Sequence, residues 1–206
     1  MGTLYRDGKV YGQQALTAFA PDVPSLARGV RMPPGLDDLA RHQGWMQVGL
    51  SRDTTACACE SLRFFGPRDG RRLDANASAL LLLGAGGGSH SGHTHRCKEA
   101  LQALVNDLEV PLRVAPYPAS CAKCNPIARR LCSHVTRACQ GVLFDSLQTG
   151  MGLIQKTQTQ QGLSGTVRGV DTLYEGGRTV SAACKKHMPI VFDTVLPTWN
   201  YWAMPQ

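Results

Sequence analysis

The chain has 206 residues, with 22 Lys and Arg against 15 Asp and Glu, for a formal net charge of +7. That length suits one domain of ordinary size with a real core, and the positive balance favours a polyanionic partner such as nucleic acid without speaking to fold. No N-terminal segment joins a basic stretch to an apolar run and a small-residue cleavage site, and no stretch reaches the about 18 apolar residues of a membrane helix. The expectation is a cytoplasmic protein without a membrane segment.

Residues 9–19 carry a strand pattern, 30–35 a shorter one broken by Pro33 and Pro34, and 46–50 a short apolar one, so a meander is predicted. Thr54 or Thr55 can cap a helix running to about residue 65, where Gly66-Pro67 stops it. A polar, arginine-rich linker over 67–76 follows. The apolar run 79–83 is bounded by glycine and suits a strand buried on both faces. Ala100, Leu101, Leu104, Val105 and Leu108 recur at helical spacing, which predicts a helix over 98–108, and residues 110–115 alternate as the next strand.

The loop 116–126 holds Pro116, Pro118 and Pro126, then releases into a helix over 126–139 with Pro126 in its first turn. Another helix is predicted over 144–156, with Asp145 or Ser146 as its N-cap, while 162–177 reads as turn-rich and polar. Three early strands, then helix, strand, helix, strand and helix, give an α/β order expected of a ribonuclease-H-like mixed sheet flanked by helices. The core is placed over 1–160, with 161–206 as a C-terminal tail packing on or extending it.

Eight cysteines, at 57, 59, 97, 121, 124, 132, 139 and 184, do not suggest a disulfide framework in a reducing compartment. Cys121 and Cys124 have the two-residue spacing of a zinc knuckle, and Cys132 and His134 follow closely. A zinc-binding interaction module built on those four is therefore an alternative reading. Against it, the second half lacks a matching pair. The glycine run after Leu83 could also begin a phosphate-cradling loop, but it lacks the Lys of a P-loop and the third glycine of a dinucleotide fingerprint.

Two blocks carry a more specific signal: Gly84-Ala85-Gly86-Gly87-Gly88-Ser89-His90, and Lys123-Cys124-Asn125-Pro126-Ile127-Ala128-Arg129-Arg130-Leu131-Cys132-Ser133-His134. They resemble segments of the insertion-sequence DDE transposases of the Rhodopirellula transposase family. There, an Asp precedes Gly-Gly-Gly-Ser-Asn, and the later block runs Lys-Trp-Asn-Pro-Ile-Glu-His-Arg-Leu-Phe-Ser-His. Further matches follow in order along nearly the whole chain. Asp22-Val23-Pro24 looks like the family's Asp-Phe-Pro, Pro33-Pro34-Gly35-Leu36-Asp37-Asp38-Leu39 like its Pro-Tyr-Gly-Val-Tyr-Asp-Leu, and Trp199-Asn200-Tyr201 like its closing Trp-Asn-Tyr.

The resemblance implies a ribonuclease-H-like core that cuts and joins DNA ends with Mg²⁺ held by three carboxylates. Two metal ions about 4 Å apart activate the attacking oxygen and stabilise the leaving one, and Mg²⁺ demands hard oxygen donors. Asp22 matches the first carboxylate. Ala85 and Ala128 stand where the second and third should be, so the resemblance implies a catalytically inactive copy. Cys97, Cys124 and Cys139 stand at family Trp positions and Cys132 at a Phe, each one base change away. By position in the motif, Lys123, Asn125 and Arg130 are candidate DNA contacts. No helix-turn-helix pattern precedes Asp22, so the expectation is non-specific DNA binding at most, with self-association or pairing with an intact transposase as possible partnerships.

Overall fold

The computed structural model describes residues 8, 9, 11–15, 17, 18, 33–49, 61, 62, 65, 76–85, 95–118, 120–144, 146–160, 162–170, 180, 188–197 and 199–206. It is a mixed α/β structure, compatible with a ribonuclease-H-like fold, whose chain divides into two compact units: residues 1–52 with 127–173, and residues 53–126 with 174–206. Each is built from its own sheet.

In the first unit, β1 (Gly35–Asp38) and β2 (Gln43–Gly49) form an antiparallel hairpin with Gly35 opposite Met46 and Asp38 opposite Gln43. Asp38 makes the turn. Its Oδ1 accepts from the N–H groups of Ala40 and Arg41 at 2.9 and 3.1 Å, its Oδ2 pairs with Arg41, and its carbonyl accepts from His42 N–H. This is the local side-chain to backbone bonding that suits Asp to turns. His42 completes the reversal at φ 57°. The strand begins only after Pro33 and Pro34, which have no N–H to give to a ladder.

Strand β2 also pairs in parallel with β5 (Ser164–Val170) over seven residue pairs, Gln43↔Ser164 through Gly49↔Val170. The polar, glycine-bearing sequence of 162–177 reads as turn, and the structure corrects that reading for 164–170. Such a strand takes its stability from the partner's ladder rather than from its own composition. Residues 9–19 go the other way, because none of the described ones lies in a strand.

The expected helix after Asn125 is present in two parts: a π-helical turn, Ala128–Cys132, runs into α2 (Ser133–Ala138). Helix α3 (Leu147–Gln155) starts where predicted, with Ser146 Oγ accepting from Thr149 N–H at 3.1 Å. Met46, Val48, Leu131, Cys139, Ile154 and Leu163 form this unit's core.

In the second unit β3 (Leu80–Leu82), α1 (His95–Leu108) and β4 (Leu112–Val114) make the predicted strand, helix, strand unit, with β3 and β4 parallel. The sheet continues through β7 (Tyr201–Ala203) to β6 (Ile190–Phe192), in the order β3-β4-β7-β6. Alternation decides the packing. Leu112, Val114, Tyr201 and Ala203 are buried with Leu101, Leu104, Val105 and Leu108 of α1, while Leu81 and Val191 face outward. The closing Trp-Asn-Tyr motif therefore has a structural use: Tyr201 is fully buried, and Asn200 donates to the Val195 carbonyl at 2.9 Å to close the β6–β7 loop. Of the helix expected over 54–65, only Ser61, Leu62 and Phe65 are described, and all three are helical.

Candidate active site

Ala85 sits at the carboxyl end of β3, where the ladder to β4 runs out. Gly84 accepts from Tyr117 N–H at 2.8 Å, Ala115 N–H donates to Leu82, and Ala85 makes a parallel bridge to Tyr117. The carboxyl ends of parallel strands are where open α/β sheets place reactive groups. A residue at 85 is therefore held by the backbone that follows β4, and Ala85 is itself exposed. What it presents is a methyl group.

Ala128 opens the π-helical turn of the other unit and is half-buried. One-turn π segments inside helices concentrate at functional positions. Here too the side chain is a methyl. The remaining expected carboxylate, Asp22, and the glycines 86–88 lie outside the described residues.

The other motif residues divide by role. Lys123 lies exposed in a 3-10 turn, Ala122–Cys124, and Asn125 is half-buried just before Pro126. Arg130 is drawn inward: its Nε donates to Asp37 Oδ2 at 2.9 Å, and one terminal nitrogen donates to the Leu39 carbonyl at 3.2 Å and to His42 Nδ1 at 3.1 Å. Arginine has no acceptor, so His42 must offer a lone pair at Nδ1. The Asp37 side chain is only 2% exposed, and its Oδ1 accepts no hydrogen bond among the described residues. Sequence reasoning missed Asp37. Its one signal was an acidic residue in a strand position where the resembling family has Tyr.

The same carboxylate reaches the thiol of Cys132. Loss of water around that thiol, and then the Asp37 charge, push its pKa up even though the residue keeps an exposed surface.

The zinc alternative does not survive. Cys121 and Cys124 are joined by a disulfide, and no three His, Cys, Asp or Glu among the described residues are grouped to hold a metal ion. The reason is local: a 3-10 turn stacks residues three apart, so these two sulfurs meet each other. Cys132 and His134 follow on the π-helical turn and α2, in the other unit. The expectation of thiols throughout is corrected at this pair.

A family model described as the Rhodopirellula transposase DDE domain matches residues 1–205. The chain belongs to this transposase family. No curated protein and no solved structure matched. The chemistry of such enzymes rests on divalent metal held by oxygen donors, and the methyl groups at 85 and 128, expected at carboxylate positions, offer none. No helix among the described residues is long and apolar enough to cross a membrane.

Proposed function

We propose that this protein is a catalytically inactive descendant of an insertion-sequence DDE transposase, which retains DNA contact without strand cleavage and transfer. The observation that carries the reading is Ala85. The backbone around it keeps the strand end, the ladder to Tyr117 and the glycine-rich sequence beyond, while the group that would hold a metal has been cut back to Cβ. Ala128 repeats the loss on the helix. A retained frame with missing donors is the pattern of a site that has lost its reaction.

DNA contact follows from the net charge of +7 and from Lys123, exposed in its turn. Contacts of this kind go to phosphates, carry no sequence information, and weaken steeply with salt. Arg130 serves a different end in this reading, because the donors that bind Asp37, Leu39 and His42 hold the first unit together. Self-association or pairing with an intact transposase is the partnership the family suggests.

The test is nicking of supercoiled plasmid in Mg²⁺ or Mn²⁺ by the unaltered chain and by the Ala85→Asp, Ala128→Glu double variant. Cleavage by the double variant alone is the expected result. Cleavage by the unaltered chain would overturn the proposal. A folded double variant that stays silent would show that more than two carboxylates has been lost.

A further inference from the structure

The turn that carries Lys123 holds a feature the transposase reading leaves unused. Cys121 and Cys124 are disulfide-bonded with their Cα atoms 5.5 Å apart, at the 3-10 turn Ala122–Cys124. Residues three apart eclipse one another in such a turn, so the backbone alone stacks the two side chains. That backbone has its own support: Cys121 N–H donates to the Pro118 carbonyl at 3.2 Å, and Cys124 N–H donates to the Cys121 carbonyl at 3.0 Å. Backbone hydrogen bonds therefore support the turn alongside the covalent bond.

Access to the pair is unequal. Cys124 is exposed and Cys121 half-buried, so an incoming reagent meets Cys124 first. The thiolate is the form that attacks disulfides. The other described cysteines lack this setting. Cys97 and Cys139 are buried, and lost hydration, then the Asp37 charge, push the Cys132 thiol pKa up.

We propose that Cys121 and Cys124 form a reversible dithiol and disulfide site that exchanges with low-molecular-weight thiols and disulfides of the glutathione kind. In the oxidising direction the Cys124 thiolate attacks one sulfur of the small disulfide. The reagent's S–S bond breaks, a mixed disulfide forms on Cys124, and one small thiol leaves. The Cys121 thiolate then attacks the Cys124 sulfur, closes the internal bond and expels the second small thiol. Two electrons pass from the cysteines to the reagent, and their two protons end on the two released thiols. An excess of small thiol runs the same steps backward.

The experiment equilibrates the full chain in glutathione buffers from reduced to oxidised, quenches with N-ethylmaleimide, and digests with trypsin under denaturing conditions. Cleavage after Lys123 puts the two cysteines on different peptides, so a linked pair survives only while the bond is closed. The expected result is a linked pair in oxidised buffer and two alkylated peptides in reduced buffer, with one curve approached from either side and an unchanged circular dichroism spectrum. Cys121→Ser should lose the linked pair and accumulate glutathione on Cys124. The proposal is overturned if both cysteines alkylate at every ratio or if either links to a different cysteine. A glutathione adduct that persists on Cys124 of the native chain, or loss of the spectrum on reduction, overturns it equally.

Discussion

Among the described residues each unit holds a charged side chain in a buried place, and the two are accommodated by different means. In the first, the Asp37 carboxylate, 2% exposed, is answered by the Arg130 guanidinium at 2.9 Å. In the second, Lys98, 9% exposed on α1, lays its ammonium 4.8 Å from the Phe192 ring centre and 5.1 Å from that of Tyr201. Burial holds the Lys98 pKa below the ordinary lysine value, with a smaller opposing contribution from Cys97. An aromatic face attracts a cation without needing a partner's proton or charge, and lysine's long stem packs as an apolar chain. A carboxylate has no such option, so the first unit depends on one residue 93 positions away. Reliance on Arg130, the counter-charge found among the described residues, is where the first unit is expected to be fragile.

The largest expected effect tests that fragility. Arg130→Ala strands a buried carboxylate, and should cost about 3 to 5 kcal/mol in chemical denaturation of the first unit's signal. Replacing both partners, Asp37→Leu with Arg130→Met, should recover most of the loss, because apolar pairs of similar volume substitute well for buried ion pairs. If the double variant is as weak as the single, the pair does more than neutralise charge. Gly44→Ala comes next. A Cβ there would stand 2.5 Å from Leu131 Cδ1 and 3.0 Å from Cδ2, and Leu131 is fully buried, so a cost of about 1 to 3 kcal/mol is expected by the same measurement.

Lys98→Met should be nearly silent, within about 1 kcal/mol, since the lost ring attraction is offset by the charge no longer being desolvated. A loss several times larger would make Lys98 as critical as Arg130 and dissolve the contrast. The smallest effect belongs to Asp193 on the second unit's surface. The Val195 N–H first, and then Arg113, hold its carboxyl below the usual range. A depressed carboxyl contributes stability above the ordinary value of about 4, and that contribution is lost as pH falls through the lower folded value. Asp193→Asn should therefore lower stability slightly at neutral pH, leave it unchanged below the folded value, and make the acid limb of a stability-versus-pH titration shallower.

The second unit was the more legible in sequence, and the reason is periodicity. Leu101, Leu104, Val105 and Leu108 announce a helical face, and the apolar run ending at Leu83 announces a strand, though not the burial on both faces it suggests, since Leu81 is exposed. The first unit rests on pairings that no local pattern encodes. Strand β5 is polar and glycine-bearing, with Val167 as its packed apolar residue, and it exists because β2 offers seven parallel partners. The C-terminal segment, read as a packed tail, places Tyr201 and Ala203 in the core because β4 lies ready to receive β7. Buried Gln102 adds a tie, donating to the Met204 carbonyl at 2.6 Å.

The motif cysteines show the same division. Four stand where the resembling family carries Trp or Phe, and the sequence treats them alike. The structure sorts them: Cys97 and Cys139 fill core positions of the two units, while Cys124 and Cys132 are exposed. Only the 3-10 turn distinguishes Cys124 further, by giving it Cys121 as a partner.

Sequence alone determined the family resemblance, the alanines at 85 and 128, the basic balance, the strand, helix, strand unit and a helix cap at Asp145 or Ser146. These are matters of residue identity and local spacing, which the chain states outright. Tertiary structure decided that a strand pairs across 121 positions, Gln43 with Ser164, and that an ion pair forms across 93, Asp37 with Arg130. It also decided that Arg130 faces Asp37 and that two cysteines meet each other instead of a metal. Long-range partners are selected by what the folded backbone brings within reach, and residue spacing carries no record of that choice.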